Sequence, residues 1–408
     1  MSAASLFPPT REAALARIAA VRPAEYARSR NAIEGAVTQL SPYISHGLVS
    51  LPEVLAGVAE RHKLSVQHKL VFELGWRAYF HHVWAHRGNG IFESLHTGPL
   101  PERAYATDLP PDIRQACTGV PAIDQAVRTL YATGTLHNHA RMWLASYVVH
   151  MRKVHWRAGA DWLYSHLLDG DLASNHLSWQ WVAGTGSHKP YLFNADNVAK
   201  YAPPSWHSAG SGIDQSYEAL QTLAQSTETL RPNNASGQGV DEPALSNAPP
   251  IHLASLPDPT EVSGRDVWLV HPWALGPRPS DLPADGLALG WWPSDFHHER
   301  PWSAARWGFV GTRMAELAPK CWVASATGLA AALAGARSVQ TLANPHIDTL
   351  LPSRAVRRPE QNLFPPVDRP CGSFSQWWTH TLRNVQHLHQ LPGLIAMADT
   401  PPAGALFD

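Results

Sequence analysis

Hydrophobic and polar positions follow two different rhythms along the chain. From Thr10 to Val21, apolar residues recur at helical spacing behind a threonine cap, with Glu12 two residues on. That pattern predicts an amphipathic helix ended by Pro23. Leu70 to His86 is a second, strongly aromatic helical pattern with Leu74, Trp76 and Phe80 on its core side. Between His137 and Val154 the apolar positions Met142, Leu144, Tyr147, Val148, Met151 and Val154 fall at three- and four-residue steps, the mark of one buried helix face. A tight Asp169-Gly170-Asp171 turn separates that region from a further helical pattern carrying Trp179-Gln180-Trp181. From residue 266 to 352 the rhythm changes: short apolar runs (DVWLVHPWAL, GLALGWWPSDF, CWVAS, VQTLAN) alternate with two helical stretches. Such alternation predicts a parallel sheet in an α/β layer. No G-x-G-x-x-G follows its first strand, so the dinucleotide fingerprint is missing. Residues 205–264 are rich in Ser, Gly, Asn, Gln and Pro, with one short helical pattern at SYEALQTLA, and are expected to form a flexible linker. The expected organisation is an α+β multidomain chain: a helical domain over 1–204, the linker over 205–264, and a small α/β domain with a terminal helix over 265–395. The tail from 396 is expected to be loose.

At 408 residues the chain can fill two cores. It has no run of eighteen or more apolar residues, and Met1 to Thr10 lacks the basic and apolar run of a signal peptide, so a soluble cytoplasmic protein is expected. Cys117, Cys321 and Cys371 lie far apart, with no C-x-x-C and no histidines at ligand spacing. Neither a disulfide framework, an iron–sulfur cluster nor a metal site is indicated. A net charge of −1 does not mark the whole chain as a nucleic-acid binder, so any DNA contact needs a local patch. Seventeen tryptophans against only 16% charged residues are mostly core filler or interface anchors, leaving a minority as candidate electron carriers.

Arg141 falls on the apolar 137–154 stretch, where a guanidinium is costly to bury unless a carboxylate meets it. Asp169 and Asp171 are the nearby carboxylates. The bland alternative is that Gly170 closes one helix, Asp171 caps the next, and Arg141 stays half solvated. Ser41-Pro42 reads as a helix start, with Ser as N-cap and Pro at the first helical position. Such an end is either a plain capping turn or a phosphate site. Glu73 and Arg77 form an i,i+4 pair, usually a surface salt bridge of small value.

The order His137-Asn138-x-x-Arg141-Met142, then Trp156, then Asp169-Gly170-Asp171-Leu172-Ala173-x-Asn175, then Trp179-x-Trp181 resembles the FAD-binding domain of the DNA photolyase and cryptochrome family. Thr38-Gln39-Leu40-Ser41-Pro42-Tyr43 and Glu73-Leu74-x-Trp76-Arg77 resemble two further segments of it. The resemblance implies an N-terminal all-α photolyase-type bundle around FAD. Tyr26, Thr38, Leu40 and Ser41 would lie at the phosphates, Arg77, Arg141 and Asp169 at the flavin, Asp171 at the ribitol or ribose side, and Asn175 at the flavin N5. Glu73, Trp76, Asn138, Met142 and Trp181 match the positions that bind a pyrimidine dimer, and Trp179 and Trp156 the first two members of the electron chain. The smaller α/β region resembles the family's antenna domain in circularly permuted order, with the antenna pigment unidentified.

Several positions depart from the family pattern. Val37 replaces a hydroxyl, His139 stands where cyclobutane-dimer enzymes usually have arginine, and no third tryptophan precedes Pro121. Tyr105, Trp143 and Trp162 are the candidate substitutes for that tryptophan. The function the resemblance implies is light-driven repair of a cyclobutane pyrimidine dimer in UV-damaged DNA by a photolyase-like carbon–carbon lyase. The alternative is a non-repair, cryptochrome-like blue-light photoreceptor with a signalling partner.

Overall fold

The computed structural model of the chain describes residues 6–187, 189–231, 238–283 and 285–398; the end of the tail, residues 399–408, lies outside them. Helix α1 (Arg11–Ala19) starts where its cap predicts, with the Thr10 hydroxyl accepting from Ala13 N at 3.2 Å. Pro23 opens the next helix, Pro23–Ser29, at its first turn, since a proline there forfeits no helical hydrogen bond.

The helices that build the site follow in order. They are α2 (Ser41–Ser45), α3 (Lys69–Arg87), α4 (Pro121–Thr133), α5 (Asn138–Ser146), α6 (Trp156–His166) and α7 (Leu172–Ala183). The helix predicted to reach Val154 ends sooner. α5 passes into one π-helical turn, Tyr147–Met151, and Lys153 adopts a left-handed backbone with φ 52°. Asp124 accepts from Thr118 N and Gly119 N at the start of α4, while Arg128 donates to the Ala116 carbonyl.

The α/β unit has five parallel strands: β1 (Asp266–Val270), β2 (Leu287–Pro293), β3 (Lys320–Ala324), β4 (Ser338–Leu342) and β5 (Val356–Arg358), ordered β3-β2-β1-β4-β5. The strand order reverses between β1 and β4, which is where open α/β sheets leave a ligand crevice. Here the chain fills that place itself, with Trp273, just after β1, stacked on His346, just after β4, at 4.5 Å.

The segment expected to be a flexible linker is, in its described part, a strap laid on the helices. Its helix α8 (Tyr217–Ala224) buries Leu220 and Ala224. Leu230 N donates to Met151 O, and Val240 N to Gln115 O. Glu242 accepts from Arg114 and from Trp162 Nε1, both at 2.8 Å, with His166 at 3.2 Å. Composition concealed these anchors because each depends on one residue set among Ser, Gly and Asn. Burial pushes the Glu242 carboxyl up, but its hydrogen bonds to His166, Arg114 and Trp162 outweigh this and hold its pKa at about 2. Stability that depends on this carboxylate is full above the unfolded pKa near 4.5 and is lost as pH falls toward 2. Glu242→Gln is therefore expected to lower Tm at pH 7, with the difference from wild type closing across that window in melts at stepped pH.

The apolar core does not divide at residue 204. One cluster joins the helices up to Ile91 with Tyr164, Leu168, Leu172, the sheet and the helix Phe374–Thr381, whereas a second gathers residues 109–220. The helix α10 (Phe374–Thr381), after the helix α9 (Ala304–Leu317) between β2 and β3, packs Phe374, Trp377 and Trp378 against α3. Among the described residues no helix is long and apolar enough to cross a membrane, and no group of three His, Cys, Asp or Glu could hold a metal. The three cysteines are free.

Candidate functional site

One cavity of about 610 Å³ opens among α2, α3, α5 and α7, within the range of about 300–1,000 Å³ usual for ligand sites. Its floor is the 169–171 turn. Arg141 reaches it from the first turn of α5, donating from Nη2 to both Asp169 oxygens at 2.8 and 2.9 Å and from Nε to Leu136 O at 2.8 Å. Both readings of this turn therefore hold in part. Asp169 takes the arginine, while Asp171 caps α7 through Ser174 N at 2.8 Å. Gly170 does not close the preceding helix, which ends at His166.

Asp171 is buried and has two further partners, Arg77 at 3.4 Å and His81 at 3.0 Å. Burial alone would raise its pKa; the Arg77 charge and His81 overcome that and hold the carboxyl well below the usual carboxylate range. The expected Glu73–Arg77 surface pair is replaced by two long-range pairs. Arg77 goes to Asp171 and Ser45, and Glu73 goes to Arg30 at 3.2 Å. Both charges turn into the cavity wall instead of toward each other.

The opposite wall carries Thr38, Leu40 and Ser41. Gln39, between them, has φ 52°, an uncommon conformation for a residue with a side chain. Leu40, beside it, is right-handed. Successive residues of opposite hand turn their N–H groups into one concave nest, a geometry suited to an anion. Ser41 begins α2 and Leu40 is its cap, one residue earlier than expected. Tyr26 is part of the same wall, and burial, with Glu73 nearby, pushes its phenol pKa up.

Asn175 and Trp179 complete the cavity from α7. Asn175 donates its amide nitrogen to Ala160 O at 2.8 Å, which leaves Oδ1 as the free acceptor. Trp179 is buried against Gly159, where a Cβ would fall 2.2 Å from the indole ring. Gly159 lies one turn from Trp156 on α6, so both tryptophans meet the same helix face. Gly159→Ala would gain about 1 kcal/mol of helix propensity and cost about 1–3 kcal/mol by overpacking. A lower Tm and a changed near-ultraviolet dichroism from a displaced Trp179 are the expected results.

Asn138 and Met142 also line the cavity, as does Glu73. Two expected members do not. Trp76 lies outside the lining, stacked on Phe374 of α10 at 4.1 Å and 13°, because α3 turns its 72, 76 and 79 face toward that helix. Trp181 is 39% exposed and leans on Tyr191, facing away from the buried side of α7. Of the three substitutes for a third tryptophan, Trp143 is buried and bound to Asn197, and Trp162 is bound to Glu242. Tyr105 is half-buried, its ring 6.3 Å from His155, which is 5.6 Å from Trp156.

The structure adds residues that the sequence left unmarked. Ser174 Oγ is buried and unpaired at the cavity lining, and Arg30, Ser45 and His81 engage its charged groups. His81 follows Arg77 by one helical turn, a spacing that could have placed it on the same face.

Residues 70–223 match the family described as the FAD-binding domain of DNA photolyase. A deoxyribodipyrimidine photo-lyase of Streptomyces griseus is 35% identical over 165 residues, 40% of this chain and 36% of that protein. A deoxyribodipyrimidine photo-lyase of Thermus thermophilus is 37% identical over 199 residues, 46% of each. A cryptochrome DASH of Ostreococcus tauri is 34% identical over 194 residues, 45% of this chain and 35% of that one. The chain thus spans less than half the length of these relatives. The crystal structure of a bacterial class III photolyase from Agrobacterium tumefaciens aligns at 22% identity and TM-score 0.44, over 55% of this chain and 56% of that one.

Proposed function

We propose, from the match of residues 70–223 to the FAD-binding domain of DNA photolyase, that the cavity holds FAD and that the chain repairs pyrimidine dimers in UV-damaged DNA, as a light-driven carbon–carbon lyase. The observation that carries this reading is the convergence on one cavity of the Arg141–Asp169 pair, the free Oδ1 of Asn175 and the buried Trp179.

The donor set fits the group. Ser174 Oγ is a buried hydroxyl awaiting a partner, and the Gln39–Leu40 nest with the Thr38 and Ser41 hydroxyls suits a pyrophosphate. Bound there, FAD would supply light absorption and reversible one-electron donation to a dimer. The chain's own work is positioning and electrostatics. Arg141 supplies a positive charge that Asp169 keeps in place, and Asn175 Oδ1 would be the acceptor available to the cofactor's N5. Asp171, fixed by Arg77 and His81, would face the ribose or ribitol side. Glu73, Asn138 and Met142 stand at the lesion side, where a flipped base needs an apolar surface with few polar groups. With Tyr105 beyond His155 as the outer donor, Trp156 and then Trp179 would pass electrons inward. The α/β unit is read as an antenna-like domain in permuted order.

A specific contact supports a second reading, a cryptochrome-like photoreceptor. Phe374 covers the face of Trp76 that a repair enzyme would offer to its lesion, and α10 would then be the signalling element. Blue-light illumination of purified protein with reductant and a dimer-containing oligonucleotide separates the two. Repair predicts loss of the dimer in light only. A yellow, photoreducible protein that leaves the dimer unchanged removes the repair reading.

A further inference from the structure

The turn that carries Asp169 and Asp171 is held from behind by the α/β unit. Leu168, Gly170 and Leu172 alternate with the two aspartates, and each meets a group from that unit or tied to it. Arg306, on α9, donates from Nη2 to Gly170 O at 2.6 Å and from Nη1 to Tyr164 O at 3.2 Å. His346 accepts from Leu172 N at 3.3 Å. His46, at the end of α2, spans Leu168 O at 2.9 Å and Pro272 O at 2.7 Å, joining the turn to the loop after β1.

Arg306 is fully buried, its guanidinium carbon 4.0 Å from the Trp302 ring centre and 4.6 Å from that of Tyr164. A Cβ on Gly170 would come within 2.4 Å of Nη1, so the arginine occupies the space that glycine leaves. Enclosing a cation this way costs several kcal/mol unless other charges offset it. The carboxylates acting on Arg306 are Asp169 and Asp171, across the turn.

We propose that Arg306 is a positioning residue for the flavin site: it fixes the 169–171 turn through the Gly170 carbonyl and places a further positive charge, in addition to those of Arg141 and Arg77, behind the two aspartates. The proposal rests on the reading of the cavity as an FAD site. A cation behind the carboxylates weakens their negative field at the bound ring, which raises the potential at which the ring is reduced.

The test uses the full chain as wild type, Arg306→Lys and Arg306→Met, each stripped of flavin, titrated with FAD and then measured for flavin midpoint potential. Lysine keeps the charge and loses the fork, so Arg306→Lys is expected to bind FAD about tenfold more weakly at an unchanged potential. Arg306→Met is expected to bind about a hundredfold more weakly, with the potential moved to more negative values. Wild-type affinity in both variants overturns the proposal. So does weaker binding by Arg306→Met at an unchanged potential, because that result leaves packing alone. If Arg306→Met does not accumulate in soluble form, Arg306→Lys decides, and wild-type affinity in it overturns the proposal. A wild-type chain that takes up no FAD ends the underlying reading first, and the same titration shows it before any variant is compared.

Discussion

Mild acid is expected to unfold this protein, with stability falling steeply between about pH 6 and pH 5. His150, His271 and His297 are buried, and burial is the first cause of their low pKa values, about 4, 4 and 3. Their hydrogen bonds fit neutral rings: His271 Nδ1 accepts from Trp273 N, and His150 Nδ1 has no partner. In the unfolded chain each ring takes up a proton as pH drops through 6.5, whereas in the folded chain it stays neutral until about pH 4 or below. Across that window the unfolded state binds more protons, so stability falls with falling pH. At pH 5 each ring costs about 2 kcal/mol, and three such rings together approach the total stability of an ordinary domain, about 5–15 kcal/mol. Urea or thermal melts at half-unit pH steps provide the check. A Tm that stays flat from pH 7 to pH 5 contradicts the neutral, buried state of these rings.

Purified Asp169→Ala protein is expected to be colourless. The substitution leaves the Arg141 guanidinium, itself partly enclosed, without the carboxylate that fixes it through two hydrogen bonds. Arg141 then loses both charge-assisted hydrogen bonds that hold it, each worth about 1.5–3 kcal/mol, and the released side chain no longer presents a fixed face to the cofactor. Asp169→Asn keeps the shape and one acceptor, so it is expected to retain part of the yellow colour. The absorbance ratio of flavin to protein after purification measures both variants, and full occupancy in Asp169→Ala contradicts the site.

How much of this could be read from residues alone varied with sequence distance. The Arg141–Asp169 pair was legible because an arginine on an apolar stretch demands a carboxylate and few were near. The parallel sheet followed from alternating apolar runs, and its five strands lie as that alternation requires. Trp76 was misplaced because its helix has two useful faces, and only the packing of Phe374, 298 positions later, decides which one it presents. Arg306 left no trace: an arginine in a helical run reads as surface until the glycine it abuts, in another unit, is known. The strap was missed for the opposite reason, since its polar composition suggests solvent while a few spaced residues bind it down.

The backing of the cofactor turn also sets a timetable for biosynthesis. His346 is 174 residues downstream of the Leu172 amide it accepts from. A ribosome adding about 5–20 residues per second leaves that amide waiting on the order of ten to thirty seconds for its partner. The nascent helical bundle must therefore pass through a stage with an unsupported floor, and that interval is when a chaperone or a premature ligand would have access to it.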